Sequence, residues 1–239
     1  MFERTHHRRV AAVLEALDAE LLLSHSCLFG GGTAIALRFG EYRESVDIHL
    51  LVSSREGYRA LREVVMRADG VQALARKGAR LHQVRDIRAD QYGIRTLLEV
   101  VDVQIKFEIV HEGRITLDPP GPDDRVCEVA TLTFLDMVAT KLLANSDRGA
   151  DDAIHSRDLI DLAMMTPSKR LLVQAIAKAS APYGESIQRD LVAAIRRVEE
   201  QPDLLDDCMQ ALQMSVPRAL LWKRIKALRL SDRKTSPRS

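Results

Sequence analysis

Residues that could bind a phosphate and its metal ion lie close together near the N-terminus. Three glycines at positions 30–32 separate a short apolar segment from a predicted helix. A glycine-rich turn at the start of a helix lets a phosphate approach the backbone N–H groups closely. Asp47 and His49 follow in the stretch SVDIHLLV, where apolar and polar residues alternate. Since alternate residues of a strand point to the same side, the pattern places both side chains on one face of a predicted strand over 46–52.

A carboxylate beside such a turn can hold Mg²⁺ against a nucleoside triphosphate. Mg²⁺ takes oxygen ligands from one or two carboxylates and from the phosphates of its substrate. Asp47 is the candidate for this role on the first strand. A further carboxylate could come from residues 103–110, where alternation again predicts a strand with one polar face. Either Glu108 or Asp102 could supply it.

The glycines also have a simpler interpretation, as a turn that only needs a positive φ angle. A P-loop would end in Gly-Lys-Ser or Gly-Lys-Thr, and a dinucleotide-binding fingerprint would need a glycine where Ile35 stands. Arg38 and Arg43 could contact a phosphate or could equally lie on a solvated face. The glycine turn therefore indicates a nucleotide site only in combination with Asp47.

The surrounding pattern predicts a mixed first half and a helical second half. Helices are expected over 5–24, 33–39 and 54–68, the last capped by Ser53 or Ser54. Strands are expected over 27–29, 46–52, 80–87, 93–100 and 103–110. Beyond the hinge LDPPGPDDR, helices are expected over 134–146, 156–165, 168–179, 185–199, 204–214 and 217–228.

These elements predict an α+β fold with three parts. Residues 1–118 would form a mixed sheet with flanking helices, residues 119–230 a helical domain, and residues 231–239 a disordered tail.

Composition limits the class of protein further. The chain has 239 residues, of which 46% are apolar and 29% charged, as is typical of a soluble globular protein. With 35 basic against 34 acidic side chains the net charge is +1, so a nucleic acid could bind only at a local basic patch. The charged N-terminus predicts no secretory signal, and no apolar run is long enough to cross a bilayer. Three widely spaced cysteines, expected to be reduced, indicate a cytoplasmic protein.

Two blocks of the sequence together resemble one protein family. The first, GGTAIALRFGEYRESVDIHLLV, is similar to the Gly-Gly turn and Asp-x-Asp strand of the polymerase-β-like nucleotidyltransferase superfamily, in the form found in the AbiEii/AbiGii toxin family. The second, FLDMVATKLLANSDRGADDAIHSRDLIDLAMM, resembles that family's helical motif: a lysine, an arginine seven residues later, and Arg-Asp-Leu-x-Asp-Leu. The two blocks stand in the family's order and span residues 29–165.

The first block implies a minimal nucleotidyltransferase sheet, followed here by a C-terminal helical bundle. By this resemblance Gly31 and Gly32 approach the phosphates, and Thr33 caps the helix beneath them. Asp47 would bind metal and act in catalysis. Glu108 matches the third acidic position best, with Asp102 as the second choice.

The second block implies roles for residues of the helical half. Lys141 would meet the triphosphate as a point charge, and Arg148 occupies the arginine position of the motif. Arg157 and Asp158 would shape the nucleotide pocket, with Asp158 counted among the catalytic residues. Asp161 is better explained as structural. On this basis Lys141→Ala is expected to weaken nucleotide binding without unfolding the protein.

His49 departs from the family pattern, which has a second acidic residue at this position. Imidazole suits Mn²⁺ or Zn²⁺ better than Mg²⁺, which prefers oxygen. Three explanations stay open: a single metal with Glu108 and Asp102 compensating, a softer cation such as Mn²⁺ with His49 among its ligands, or a degenerate copy that keeps the fold without the chemistry.

Two functions therefore compete. The first is a toxin-like nucleotidyltransferase, dependent on Mg²⁺ or Mn²⁺, that transfers a nucleotide from an NTP to an RNA such as tRNA or to a protein, with a cognate antitoxin as partner. The second is a catalytically impaired relative that binds a nucleotide or a partner protein. A DNA-binding regulator is a weaker interpretation, because the sequence shows no helix-turn-helix and no basic recognition helix.

Overall fold

The computed structural model describes residues 2–149, 151 and 156–230 of the chain. The first half contains α1 (Thr5–Ala16), α2 (Ala19–Ser24), β1 (Leu28–Gly30), α3 (Gly31–Arg38), β2 (Ile48–Val52), α4 (Arg55–Val65), a 3-10 helix (Gly70–Leu74), β3 (Arg88–Ala89), β4 (Gly93–Val100) and β5 (Val103–His111). The second half contains β6 (Arg125–Val126), β7 (Val129–Ala130), α5 (Phe134–Arg148), α6 (Arg157–Met165), α7 (Lys169–Tyr183), α8 (Ser186–Glu200), α9 (Pro202–Ala211) and α10 (Arg218–Ala227).

Five strands form a mixed sheet in the order β1-β2-β5-β4-β3. Strands β2 and β5 run parallel, and the other neighbours are antiparallel. The register places His49 of β2 beside Glu108 of β5 and opposite Gly30 of β1. This sheet with its helices confirms the α+β prediction.

The alternation along β5 explains why it lies inside the sheet. One side of β5 buries Ile105, Phe107 and Ile109 in the hydrophobic core. The alternate residues Gln104 and Lys106 are exposed. Helix α3 starts directly after β1 and is apolar along most of its length, so it packs beneath the sheet and against α5 and α6. The glycine turn is therefore held between the sheet and the helical half.

Helix α5 is the centre of the helical half and packs on α6, α7 and α8. Helix α6 packs in turn on α10 and on α3 of the first half. The buried apolar side chains of both halves belong to one core cluster. The division of the chain at residue 118 stays a prediction.

Several element boundaries differ from the predicted ones. The helix expected over 5–24 is two helices, because Asp18 accepts a hydrogen bond from the Leu21 N–H at 2.9 Å and starts a new one. In the expected strand 80–87 the only pairing is an isolated bridge between Gln83 and Leu98. The β6-β7 hairpin was not predicted at all. Ser54 does cap α4, by accepting from the Gly57 N–H at 3.1 Å.

Two further predictions bear on the rest of the chain. The tail 231–239 lies outside the described residues. Among the described helices, none combines the length and apolar character that a membrane crossing requires.

Candidate active site

A cavity of about 440 Å³ lies where α3, β2 and β5 meet the helices α5 and α6. Its walls bring together most of the residues that the two sequence blocks single out. From the first half these are Gly31, Gly32, Thr33, Asp47, His49 and Glu108. From the helical half they are Lys141, Arg148 and Arg157. Residues more than a hundred positions apart thus line one cavity.

The glycines of the turn are explained by what packs on them. Gly31 has a φ of +71°, and a Cβ there would lie 3.1 Å from His49 Nδ1. A Cβ on Gly32 would lie 2.2 Å from Nη2 of Arg43, so a side chain would displace that guanidinium. Both glycines therefore let polar side chains of the site approach the backbone at the start of α3.

Helix α3 begins two residues earlier than predicted. Its N-cap is Gly30, and its helical residues start at Gly31, so Thr33 lies in the first turn and is not the cap. The Thr33 hydroxyl instead shares a hydrogen bond of 2.8 Å with the Ser45 hydroxyl. The N–H groups of a first helical turn have no partner within the helix, so the backbone start of α3 offers donors and a partial positive charge to the cavity.

Asp47 lies immediately before β2 and contributes a carboxylate to the cavity wall. The residue is half-buried, and within the described parts of the chain no hydrogen bond or ion pair engages its side chain. A partly buried carboxylate without a partner is costly unless a cation or a donor joins it. Asp47 is therefore placed to receive a ligand.

Glu108 is engaged on both carboxylate oxygens. His49 Nε2 lies 2.5 Å from Oε2, and Lys106 Nζ lies 3.0 Å from Oε1, with Arg95 Nε at 3.4 Å. Partial burial would raise the pKa of Glu108, but the hydrogen bonds from His49 and Lys106 and their charges outweigh it and lower the pKa to about 2. An ionised carboxylate can only accept hydrogen bonds, so Nε2 of His49 carries the proton between them.

Asp102 is not part of this cavity. It lies in the tight turn between β4 and β5, with a φ of +58°, six residues before Glu108 on a strand that rises about 3.3 Å per residue. Its exposed carboxylate is therefore at the far end of β5 from Asp47. The structure corrects the suggestion that Asp102 is a metal ligand. The alternation in the sequence predicts the face of the sheet on which a side chain lies, but not how far along the strand the residue is.

A buried network of charges includes three cations that line the cavity, Arg43, Lys141 and Arg148. Lys141 Nζ lies 2.8 Å from Asp158 Oδ1 and 2.6 Å from Asp161 Oδ2. Arg43 donates to both oxygens of Asp161, at 2.7 and 2.9 Å, and Arg148 donates to both oxygens of Asp158, at 2.8 and 3.1 Å. Desolvation raises the pKa of each carboxyl, but the neighbouring cations outweigh it and hold both pKa values below the usual range.

Asp158 and Asp161 support the site from behind its wall. Asp158 is 1% exposed and Asp161 is 0% exposed, and neither lines the cavity. Asp158 therefore orients Lys141 and Arg148, which corrects its assignment as a catalytic residue. Asp161 is structural, as the sequence indicated, and also accepts a hydrogen bond of 2.5 Å from the Tyr42 hydroxyl.

Arg157 differs from its neighbours because it lines the cavity without a partner. Within the described part of the chain no hydrogen bond or ion pair engages its guanidinium. Desolvation and the adjacent charge of Arg148 lower the pKa of Arg157. Both effects penalise its positive charge and outweigh the attraction of Asp158 and Asp161, so an anion in the cavity would offset the remaining cost.

The structure changes the interpretation of Arg43 and adds Glu112, which the sequence did not single out. Arg43 is almost fully buried and pairs with Asp161, so it is neither a solvated residue nor free to bind phosphate on its own. Glu112 also lines the cavity and pairs with Arg114 at 2.7 and 2.9 Å. The signal for Glu112 was present, since residues 108, 110 and 112 share one face by the period of two.

The comparisons with known proteins place this arrangement in a class. Residues 12–232 match the family model described as nucleotidyl transferase AbiEii toxin, type IV TA system. The chain belongs to the AbiEii toxin family, as the resemblance of its two sequence blocks predicted. No curated protein matches the sequence.

Two crystal structures from Helicobacter pylori are similar in overall course. One is of a protein described as a nucleotidyltransferase, with 16% identity, a TM-score of 0.44, and coverage of 95% of this chain and 97% of that chain. The other is of JHP933, with 15% identity, a TM-score of 0.44, and coverage of 95% of this chain and 96% of that chain.

Proposed function

We propose that this chain transfers a nucleotide from an NTP to an acceptor group on an RNA or a protein. The observation that carries the proposal is the set of side chains that line the cavity between α3, β2, β5, α5 and α6. The unpaired carboxylate of Asp47 and the start of α3 share this cavity with the cationic side chains of Arg43, Lys141, Arg148 and Arg157. This is the complement of a metal-bound triphosphate.

The positive excess can be counted from the buried network. Three cations, Arg43, Lys141 and Arg148, face two carboxylates, those of Asp158 and Asp161, which leaves one positive charge. The unpaired Arg157 adds a second. Each ammonium or guanidinium group has more donors than its carboxylate partners use, so hydrogen bonds remain available for phosphate oxygens.

The carboxylates at the cavity fit a single divalent cation. Asp47 and Glu108 would hold it together with the phosphates of the substrate, since Mg²⁺ needs only one or two protein carboxylates in such sites. Among the described residues no group of three or more His, Cys, Asp or Glu side chains is arranged to hold a metal ion by itself. When bound, the cation would neutralise phosphate charge and orient the triphosphate. Mg²⁺ and Mn²⁺ both fit this role.

The hydrogen bond to Glu108 defines what His49 can do. Because Nε2 carries the proton toward Glu108, its lone pair is not available to a metal, and Nδ1 faces the backbone of Gly31. His49 therefore fixes the Glu108 carboxylate in place and does not add a charged ligand. Glu108, with a pKa of about 2, stays ionised at neutral pH and is a weak base.

The test is nucleotide transfer by wild type, Asp47→Asn and Asp102→Asn. Labelled NTPs are incubated with total tRNA, or with the protein alone, in the presence of Mg²⁺ or Mn²⁺. We expect Asp47→Asn to abolish transfer, because it removes a cavity carboxylate that has no hydrogen bond or ion pair within the described residues. Asp102→Asn removes the same charge at the far end of β5 and should be as active as wild type. Full activity of Asp47→Asn would overturn the proposal.

A second function follows from the His49–Glu108 hydrogen bond. If that bond holds Glu108 away from a cation, the chain would bind an NTP in the same cavity without transferring it. Calorimetric titration with each NTP, beside the transfer assay, distinguishes nucleotide transfer from nucleotide binding alone. NTP binding with no transfer in either Mg²⁺ or Mn²⁺ would support a nucleotide-binding module. The family's membership in type IV TA systems supports an antitoxin as a partner in both cases, and a cytoplasmic location is part of the proposal.

A further inference from the structure

A second concave surface adjoins the catalytic cavity. We call it the arginine groove; it has a volume of about 760 Å³ between α4 and the ends of β4 and β5. It shares Val110, Glu112 and Arg114 with the catalytic cavity, so the two lie side by side at the end of β5. A molecule that fills the groove could therefore reach the site of transfer.

Three arginines of α4 form one wall of the arginine groove. Arg55, Arg59 and Arg62 are spaced by four and then three residues, so they lie along one face of the helix. The opposite face buries Leu61 and Val65 in the core. All three arginines are exposed, and within the described part of the chain none has an ion pair or a side-chain hydrogen bond.

The charge of the groove is unusual for this molecule. The whole chain has a net charge of +1, yet the groove is lined by five arginines and one carboxylate. That carboxylate, Glu112, is already bonded to Arg114, and Arg95 is paired with Asp90 at 3.1 Å. The α4 arginines therefore make a local positive field, which is what a polyanion needs to bind to a protein without net basic charge.

Aromatic side chains border the same groove. Tyr92 is 65% exposed, although it is large and apolar enough to be buried in most proteins. Tyr58 stacks on the His111 ring with centroids 5.3 Å apart, and its hydroxyl donates to the backbone oxygen of Asp90 at 2.6 Å. This stack is fixed by the fold, whereas the Tyr92 ring is free to stack on a flat ligand.

We propose that the arginine groove binds a single-stranded nucleic acid and leads its end into the catalytic cavity. The arginines would contact consecutive phosphates, and Tyr92 would stack on an unpaired base. A duplex could not present a base to Tyr92 in this way, so the proposal is specific for a single strand. It rests on the proposed function, since it makes the acceptor a nucleic acid and not a protein.

The experiment measures binding of fluorescein-labelled oligonucleotides of 12 nucleotides, one RNA and one DNA, to the full chain by fluorescence anisotropy at several salt concentrations. The test variant is Arg55→Gln/Arg59→Gln/Arg62→Gln. The matched control, Arg170→Gln/Arg189→Gln/Arg196→Gln, removes the same charge from the exposed surfaces of α7 and α8. A third variant, Tyr92→Leu, removes only the stacking ring.

We expect wild type and control to bind at least one of the oligonucleotides with a steep salt dependence. The α4 triple variant should lose roughly tenfold or more in affinity and about two units of salt slope, because three phosphate contacts are lost. Tyr92→Leu should lose roughly tenfold with an unchanged salt slope. Equal binding by the α4 variant and the control would overturn the proposal. The proposal would also be overturned if a poly-glutamate peptide of equal charge displaced the labelled oligonucleotide as effectively as unlabelled oligonucleotide does.

NTP affinity, measured on the same samples, separates this proposal from the proposed function. The α4 variant should bind NTP as wild type does, because its arginines do not line the catalytic cavity. Oligonucleotide binding without NTP binding would support the proposed role of the arginine groove and overturn the proposed function. NTP transfer to a protein acceptor with no oligonucleotide binding would support nucleotide transfer and overturn the proposed role of the arginine groove.

Discussion

His49 and Glu108 are direct neighbours on the parallel strands β2 and β5, and His49 Nε2 lies 2.5 Å from Glu108 Oε2. The histidine thus contributes a hydrogen bond to Glu108 and no negative charge. Of the carboxylates that line the cavity, Glu112 and Asp147 are paired with Arg114, so Asp47 and Glu108 are the candidates to hold a cation. The affinity of the site for a cation must then depend strongly on the phosphates of the substrate.

The first prediction concerns the metal. We expect wild type to be weakly active with Mg²⁺ and more active with Mn²⁺, because Mg²⁺ demands a near-ideal set of oxygen ligands and the His49 side chain supplies none. His49→Asp adds a carboxylate on the same strand face and should raise Mg²⁺-dependent transfer by roughly tenfold or more. The shorter side chain fits, since Gly31 packs against His49 Cβ and Nδ1. The measurement is transfer of labelled nucleotide in each metal.

The control for this substitution is His82→Asp. His82 also faces a glutamate, Glu99, at 3.3 Å, but it is exposed and outside the cavity. It should leave transfer unchanged in both metals. Full Mg²⁺ activity of wild type, with a loss in His49→Asp, would show instead that the imidazole is a working part of the site.

The second prediction concerns acid stability. The pKa of Glu108 is about 2 in the folded protein against an ordinary value of 4.5, so its interactions stabilise the fold fully above pH 4.5. This contribution is lost as the pH falls from 4.5 towards 2. Urea titrations followed by circular dichroism should show Glu108→Gln less stable than wild type at pH 6, with the difference disappearing towards pH 2. Glu99→Gln, at the exposed His82 contact, should show almost no difference at either pH.

A constant difference between Glu108→Gln and wild type across this range would contradict the prediction. It would mean that the cost of the substitution comes from packing and not from the charge of the carboxylate. Asp158 and Asp161 also have lowered pKa values, but both remain in wild type and variant, so the comparison cancels their contribution.

The sequence predicted much of this site because its signals are local. The glycine turn, Asp47 and His49 lie within twenty residues, and the period of two along β5 put Glu108 on the polar face. What it could not predict is position along a strand. Asp102 and Glu108 share a face, and only the pairing of β5 with β2 decides which of them reaches Asp47.

The charge network shows the same limit at longer range. Arg43 and Asp161 are 118 residues apart, and neither the glycine motif nor the helical motif indicates that they pair. Once Arg43 is known to pack on Gly32, the glycine has a structural explanation beside its role near phosphate. The alternation of apolar and polar residues correctly predicted a strand that ends at Val52. It placed the start of that strand at residue 46, whereas β2 begins at Ile48.

The third prediction revises the expectation for Lys141. Its ammonium group is buried between Asp158 and Asp161, so Lys141→Ala leaves two buried carboxylates with less compensation. We expect a loss of roughly 3–5 kcal/mol in the free energy of unfolding, which corrects the view that the substitution spares the fold. Lys77→Ala, at an exposed lysine, should change it by less than about 0.5 kcal/mol. Equal stability of the two variants in urea would show that Lys141 is not needed by the network.

The last prediction uses the one arginine of the cavity that the network does not need. Arg157 faces the cavity, and within the described residues no hydrogen bond or ion pair engages it, so Arg157→Gln breaks none of those described. It also removes a charge that burial and Arg148 disfavour, as the lowered pKa of Arg157 shows. We therefore expect an unchanged or slightly higher melting temperature and roughly tenfold weaker NTP binding, measured by calorimetry on the same preparation. Arg170→Gln, at an exposed position of α7, should change neither quantity. Unchanged NTP affinity in Arg157→Gln would remove this residue from the nucleotide site, whereas a stability loss like that of Lys141→Ala would show that it belongs to the buried network.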